Sequence, residues 1–237
     1  MKNSLKLNPF DWFLIIGTVT VSVASSLLGE GWDTIGFIVA ATGIINLVLC
    51  ARGNILNYIF GIVYNALYVY ISYKAALFAD AAIYLCYYLP MQFVGWAQWK
   101  NNRSDDSGAV KVRHLSRRTA FILLAVAAVL IPAFTALLSL PAIGDSQPLL
   151  DAATTVASII AMYMMVKAIA EQWYIWLALD TLQVAKWTVA TLHGDRGAVL
   201  MLVMFAFFLA NAVYGLIEWN RLAKRPSDLP RQSVPQE

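Results

Sequence analysis

One segment of the chain carries an unusual line of aromatic and polar residues. Trp173, Trp176, Asp180, Gln183 and Trp187 recur at intervals of three or four residues, so a helix here places all five on one face. Indole rings stack on flat rings and attract cations. A carboxylate inside an apolar helix is costly and normally faces a cavity or a partner. The pattern predicts a binding face for a small, flat, polar ligand that is uncharged or carries one positive charge.

Tryptophan is also common where helices meet the membrane surface. This second interpretation explains Trp176 poorly, because that residue lies a turn deeper than Trp173 and in line with Asp180. Anchoring at the membrane surface remains an alternative for Trp173 and Trp187. It is the expected role of Trp12, Trp32, Trp99 and Trp219.

Further amides and tyrosines follow helical spacing in other apolar segments. They offer hydrogen bonds to the hydroxyl and carboxamide groups of a ligand. Some of them are also expected to link neighbouring helices, since interhelical hydrogen bonds are common in membranes. The candidate binding residues of this kind are Asn54, Asn57, Tyr58, Asn65, Tyr84, Tyr88, Gln92 and Asn211.

The composition indicates which elements hold these residues. Of the 237 residues, 60% are hydrophobic and 13% are charged, against about 25% charged residues in an average soluble domain. A soluble protein of this size cannot bury so much apolar surface, which excludes a soluble enzyme, a nucleic-acid-binding domain and a disordered chain. Cys50 and Cys86 lie in apolar runs, so a disulfide is not expected, and two histidines cannot form a His-rich metal site.

Eight segments are predicted to cross a membrane as helices, since a span needs about 20 mostly apolar residues. They are 12–28, 34–50, 55–73, 81–99, 119–140, 149–166, 173–191 and 197–217. Cytoplasmic loops are rich in Lys and Arg. Placing the loop 100–118 inside puts 14 of the 17 basic residues on that side, which predicts cytoplasmic termini. A cleaved signal peptide over residues 1–28 stays an alternative for the first span.

Residues 33–99 and 151–219 are interpreted as two copies of a three-helix unit. Gly95-Trp-Ala-Gln-Trp99 and Gly215-Leu-Ile-Glu-Trp219 close the third helix of each copy. One span separates the copies, so both enter the membrane from the same side, an arrangement shared with the SWEET sugar transporters. A substrate path is expected between the two units.

The predicted fold is an all-α polytopic membrane protein with helices in 3-1-3 order and one extra N-terminal helix. The predicted segments are the N-terminal helix 1–32, the first repeat 33–99, the cytoplasmic loop and linker helix 100–148, the second repeat 149–220 and a cytoplasmic tail 221–237. Pro90 and Pro132 are expected to kink their helices.

Four motifs, in this order, resemble the PnuC family of bacterial vitamin B3 transporters from about residue 33 to residue 220. They are Arg52-Gly-Asn54-Ile-Leu-Asn57-Tyr58-Ile-Phe-Gly61, Leu77-Phe-Ala-Asp80, Gly95-Trp-Ala-Gln-Trp99 and Glu171-Gln-Trp173-Tyr-Ile-Trp176-Leu-Ala-Leu-Asp180. The resemblance implies a homotrimer in the bacterial inner membrane. It implies uptake of nicotinamide riboside by facilitated diffusion, with trapping by a cytoplasmic kinase. The family's tryptophan motif falls on Trp173 and Trp176, and its amide motif on Asn54 and Asn57.

Several alternatives stay open at this point. Relatives of the family carry thiamine, riboflavin or deoxynucleosides, and thiamine is the first alternative because it is also a cation. Asp180 leaves ion coupling open. A membrane-embedded enzyme or a receptor is the rival class, but no nucleotide-binding fingerprint, nucleophile arrangement or metal-ligand spacing is present. We therefore expect no cofactor, no enzymatic activity and no nucleic-acid partner, with membrane lipid as the surroundings.

Overall fold

The polar stripes found in the sequence lie on long helices in a computed structural model of the chain. The structure describes residues 7–28, 34–74, 78–104, 108–141, 143, 147–193 and 196–224. Within these ranges the elements are α1 Pro9–Leu28, α2 Thr34–Ala51, α3 Asn57–Lys74, α4 Phe78–Ile83, a π-helical turn Tyr84–Tyr88, α5 Leu89–Asn101, α6 Arg117–Leu138, α7 Pro148–Val166, α8 Gln172–Leu192 and α9 Arg196–Ala223. Each of the eight predicted spans corresponds to a helix, and 81–99 corresponds to α4, the π turn and α5 together.

Some sequence expectations fall outside the described ranges. These are the membrane anchor at Trp32, the start of the Leu77 motif and most of the tail 221–237. The predicted segment boundaries remain predictions.

Local sequence explains several helix starts. The Ser116 hydroxyl accepts a hydrogen bond from the Thr119 amide at the first turn of α6, which satisfies a backbone donor that has no partner within the helix. Pro148 is the first residue of α7, a position where the backbone needs no N–H donor.

By length and apolar composition, α2, α6, α7 and Ala198–Ala223 of α9 suffice to cross a membrane. The helices α3, α5 and α8 are less apolar because they carry the polar candidate residues.

The π turn lies just before Pro90. Proline has no N–H to donate to the carbonyl four residues earlier, and its ring collides with that carbonyl. The backbone widens instead, and the Leu89 amide donates to the Tyr84 carbonyl five residues back. The wider turn changes the direction of Tyr84 and Tyr88 relative to the rest of the helix.

The helices pack in a reciprocal pattern. Within the first predicted unit, α2 packs on α3 and α3 packs on α5; within the second, α7 packs on α8 and α8 packs on α9. Between the units, α2 packs on α9 and α5 packs on α7, so the first helix of each unit contacts the third helix of the other. The linker helix α6 packs on α7 and buries none of its residues inside the chain.

The loop between α5 and α6 is bonded to both units. Val110 donates its backbone N–H to the Gly53 carbonyl, which lies between α2 and α3, at 2.9 Å. Arg113 exchanges backbone hydrogen bonds of 2.9 Å with Ala168 and Ala170, between α7 and α8. We call the side of the helix bundle that carries these contacts the loop end.

The N-terminal helix α1 is joined to the other helices at the loop end. The Asp11 carboxylate is completely buried and pairs with the Arg52 guanidinium, at the end of α2. The Asn8 side chain donates to the Tyr214 hydroxyl of α9 at 3.2 Å. Leu14 packs on Ile44 of α2. The extra helix therefore contacts one helix from each unit.

Candidate functional site

The binding face predicted on α8 belongs to one continuous helix in the structure. Trp173 is buried, with 2% of its surface exposed, whereas Trp176, Asp180, Gln183 and Trp187 are each partly exposed. The Trp176 indole donates to the Gln172 side-chain oxygen at 3.4 Å. The face is therefore covered by protein at its loop end and partly exposed along its remaining length.

Trp173 is held by a neighbouring helix. Its ring meets the Trp219 ring edge-on, with centroids 5.8 Å apart. It also covers Gly215, where an added Cβ would overlap the indole. A direct contact between Trp173 and a ligand stays a prediction, and in this structure the ring belongs to the protein interior.

The expected membrane-surface role of Trp99 and Trp219 is wrong. Both indoles are 0% exposed and lie in the main apolar cluster. Each donates its N–H to a main-chain carbonyl of the other unit. Trp12, by contrast, is 50% exposed, as an anchor at the membrane surface requires.

The amide motif builds the turn that leads into α3. Gly53 has a φ of 64°, a conformation that other residues adopt only under strain. The Asn54 side-chain oxygen accepts the Leu56 amide at 2.9 Å, and the Asn57 side-chain nitrogen donates to the Asn54 carbonyl at 2.6 Å. Both asparagines are buried. Asn54 therefore shapes the turn, and no described residue donates a hydrogen bond to the Asn57 side-chain oxygen, Oδ1.

A second amide lies against this turn. The Asn46 side chain, on α2, donates to the Asn57 carbonyl at 2.7 Å. Asn46 and Gln92 both approach Gly61, where an added Cβ would overlap the Gln92 side-chain oxygen and the Asn46 side-chain nitrogen. Asn46 is not among the predicted site residues, although an amide within an otherwise apolar helix is a signal that the sequence carries. Asn65, one turn beyond Gly61, donates to the Gly61 carbonyl at 2.6 Å.

Three buried amide oxygens from different helices have no hydrogen-bond partner among the residues that the structure describes. They belong to Asn57 on α3, Gln92 on α5 and Asn211 on α9. The Asn211 side-chain nitrogen donates to the Leu47 carbonyl, the residue after Asn46, at 3.4 Å. A buried acceptor without a partner costs about 1–3 kcal/mol. Such groups are typical of a place where a ligand supplies the missing donor.

The tyrosines fall into two groups. Tyr58 lies at the loop end, completely buried and edge-on to Trp99 at 5.0 Å. Tyr84 stacks on Tyr68 with ring centroids 4.2 Å apart, and Tyr88 lies 4.9 Å from Tyr84.

Two of the residues around Tyr84 connect it to other helices. The Tyr88 hydroxyl donates to the Ser158 hydroxyl of α7 at 2.7 Å, which joins the second tyrosine group to the other unit. The Tyr64 ring lies 6.3 Å from that of Tyr84. Tyr64 and Tyr68 were absent from the predicted site and are brought to Tyr84 by the packing of α3.

Asp180 lies in the middle of the predicted binding face of α8. Among the described residues, none forms a hydrogen bond or an ion pair with its carboxylate. The Lys186 ammonium, further along α8, lies 5.4 Å from the centroid of the Trp187 ring and is exposed. The described residues hold no group of three or more His, Cys, Asp or Glu that suits a metal ion.

Comparisons with known proteins identify the family of the chain. A family model described as nicotinamide mononucleotide transporter matches residues 33–221. A nicotinamide riboside transporter PnuC from Neisseria mucosa is 34% identical over 194 residues, covering 80% of this chain and 73% of the relative. Another PnuC, from Haemophilus influenzae, is 30% identical over 198 residues, covering 83% of this chain and 82% of the relative.

A solved structure extends the agreement to the fold. The crystal structure of the vitamin B3 transporter PnuC matches with a TM-score of 0.73 and 30% sequence identity, over 93% of this chain and 94% of that chain. The predicted all-α fold and the predicted family are confirmed. The chain belongs to the nicotinamide mononucleotide transporter family, which includes the PnuC proteins, and it is a multi-pass membrane transporter.

Proposed function

We propose that this chain carries nicotinamide riboside across the bacterial cytoplasmic membrane by facilitated diffusion. The observation that carries the proposal is a set of three buried amide oxygens, on Asn57, Gln92 and Asn211, that no described residue satisfies with a hydrogen bond. They come from both units and accept hydrogen bonds, whereas ribose hydroxyls and a carboxamide N–H donate them. Relatives at 34% and 30% identity are nicotinamide riboside transporters.

The remaining parts of the riboside match other side chains of the site. Its pyridinium ring is flat and carries one positive charge, and the partly exposed Trp176 indole offers a face that binds such a ring. Asp180, which lacks a partner among the described residues, lies one turn further along the same helix and compensates the charge. Gln183 and Trp187 continue the same face toward the other end of α8.

The distribution of basic residues favours the riboside over the mononucleotide. A phosphate group requires Lys or Arg, since an uncompensated charge in the membrane is costly. In the described helices, basic residues lie in or near the end turns, apart from Lys186, which is exposed. Arg52 lies beside the amide motif, but its guanidinium pairs with the buried Asp11. The path thus suits a ligand without phosphate.

The orientation follows from the same residues. The loop end carries the polar loop, which contains six of the 17 basic residues within 100–118. Cytoplasmic loops retain positive charge, so the loop end, with both termini, faces the cytoplasm. A cytoplasmic kinase that phosphorylates the riboside would then trap it inside the cell.

We propose that transport proceeds by rocking of the two repeats, 33–99 and 151–219. The reciprocal contacts of α2 with α9 and of α5 with α7 support this division. The protein assembles as a homotrimer in this proposal, and α6, which buries no residue inside the chain, leaves its apolar surface for lipid or a second copy.

Ligand binding to the purified protein tests the function. Nicotinamide riboside, nicotinamide mononucleotide, thiamine and riboflavin are titrated separately, and the riboside is expected to bind most tightly. Trp176→Ala is expected to weaken riboside binding by about 1–3 kcal/mol if the ring stacks there. Tyr174→Ala is the matched control, because Tyr174 is 56% exposed and lies two residues away on the same helix. Tighter binding of thiamine or the mononucleotide would overturn the assignment.

A further inference from the structure

The tryptophan that closes each three-helix unit is bonded to the opposite unit. Trp99, in the last turn of α5, donates its indole N–H to the Met165 carbonyl of α7 at 3.2 Å. Trp219, in the last turns of α9, donates its indole N–H to the Cys50 carbonyl of α2 at 2.9 Å. Both indoles are completely buried. Each unit therefore holds the end of the first helix of the other unit.

A layer of aromatic rings fills the space between these two hydrogen bonds. The rings of Trp99 and Trp219 have centroids 5.7 Å apart. Tyr58 meets Trp99 edge-on, and Trp173 meets Trp219 edge-on in the matching position of the other unit. The four rings thus form one continuous line of aromatic contacts that runs from the first unit to the second.

Close backbone approach keeps the layer compact. An added Cβ on Gly95 would overlap the Tyr58 ring, and one on Gly215 would overlap the Trp173 ring. Val110, from the loop between α5 and α6, is 3% exposed and belongs to the same apolar cluster. The loop thus covers the layer from the side that we assign to the cytoplasm.

We propose that Trp99 and Trp219 form a reciprocal latch, which closes the loop end of the transport path and opens during each cycle. The carbonyls that they bind lie just before the turns that lead into α3 and α8, where the amide motif and the tryptophan motif begin. The closed latch therefore also positions both substrate motifs. The proposal rests on the transport function proposed above, because a gate is required only where a solute passes.

The latch can open without unfolding a helix. Its donors and acceptors all lie at or near helix ends, where a small rotation of one unit separates them. Removing one hydrogen bond of this kind shifts an equilibrium by roughly 3- to 10-fold. Trp99→Phe and Trp219→Phe each remove one bond and keep an aromatic ring in place.

The thiol of Cys50 reports the state of the latch. Cys50 is 3% exposed, and its own carbonyl accepts the Trp219 bond. The test uses the full-length purified protein with Cys86→Ser, which removes the exposed cysteine. N-ethylmaleimide then modifies Cys50 at a rate set by opening of the loop end. Trp12→Phe is the matched control, because Trp12 is half exposed and outside the layer.

Both latch variants are expected to raise the Cys50 modification rate by roughly 3- to 10-fold, with no rise in the control. Saturating nicotinamide riboside is expected to change the rate in the Cys86→Ser parent, whereas a permanent structural joint would not respond. Equal rates in all variants, an equal rise with Trp12→Phe, or an unchanged rate in the parent with riboside shown to bind it would each overturn the latch. The comparison of variants requires no ligand, so it stands even if the riboside proves to be the wrong substrate.

Discussion

Gly61→Ala tests the amide site most directly. The side-chain oxygen of Gln92 and the side-chain nitrogen of Asn46 lie where the new methyl group must go. Both amides must move, and Asn46 then loses its 2.7 Å bond to the Asn57 carbonyl. A hydrogen bond of this kind contributes about 1 kcal/mol. Disturbing one or two ligand bonds should therefore weaken riboside binding by roughly 5- to 30-fold.

Stability should respond differently from binding. Gly61 lies inside α3, and alanine is favoured over glycine in a helix interior by about 0.5–1 kcal/mol. This gain opposes the cost of moving two side chains, so the unfolding temperature should change little. A loss of affinity without a matching loss of stability distinguishes a ligand site from a structural cluster.

Isothermal titration with nicotinamide riboside and a thermal unfolding curve measure both quantities on one sample. Val63→Ala is the control, since Val63 lies two residues away on the same helix and is 40% exposed. Gln92→Leu should reproduce the loss, because it removes the same acceptor. Unchanged affinity in both Gly61→Ala and Gln92→Leu would show that the amides around Gly61 do not bind the substrate.

Three further predictions concern the charge of Asp180, the buried ion pair of Asp11 and the mode of transport. Asp180→Asn should weaken binding of the cationic riboside by at least about fivefold, and binding of its uncharged reduced form much less, in parallel titrations. Asp11→Asn should lower the unfolding temperature, because breaking a buried ion pair costs about 3–5 kcal/mol. The double variant Asp11→Asn with Arg52→Gln should recover part of the lost stability, since no unpaired charge then stays buried. Uptake into proteoliposomes should proceed without a proton or sodium gradient and stop when internal and external riboside are equal; dependence on a gradient would refute facilitated diffusion.

Several features could be predicted because they depend on neighbours along the chain. Apolar runs of span length predicted the helices, and periodicity placed five residues on the face of α8. Pro90 predicted a local disturbance, which the structure resolves as a π turn. Whether the rings of Trp173, Tyr84 and Tyr88 are exposed or buried depends on side chains from other helices. The sequence alone therefore did not distinguish an exposed ring from a buried one.

The sequence by itself determined the membrane environment, the helices and the family, since composition, periodicity and motif order are properties of the chain alone. Only the tertiary structure decided the roles of Trp99 and Trp219, whose acceptors lie 66 and 169 residues away along the chain. A tryptophan near a helix end has the same local pattern whether it faces lipid or another helix. Its burial is decided by which helix packs beside it, and that depends on contacts distant in sequence.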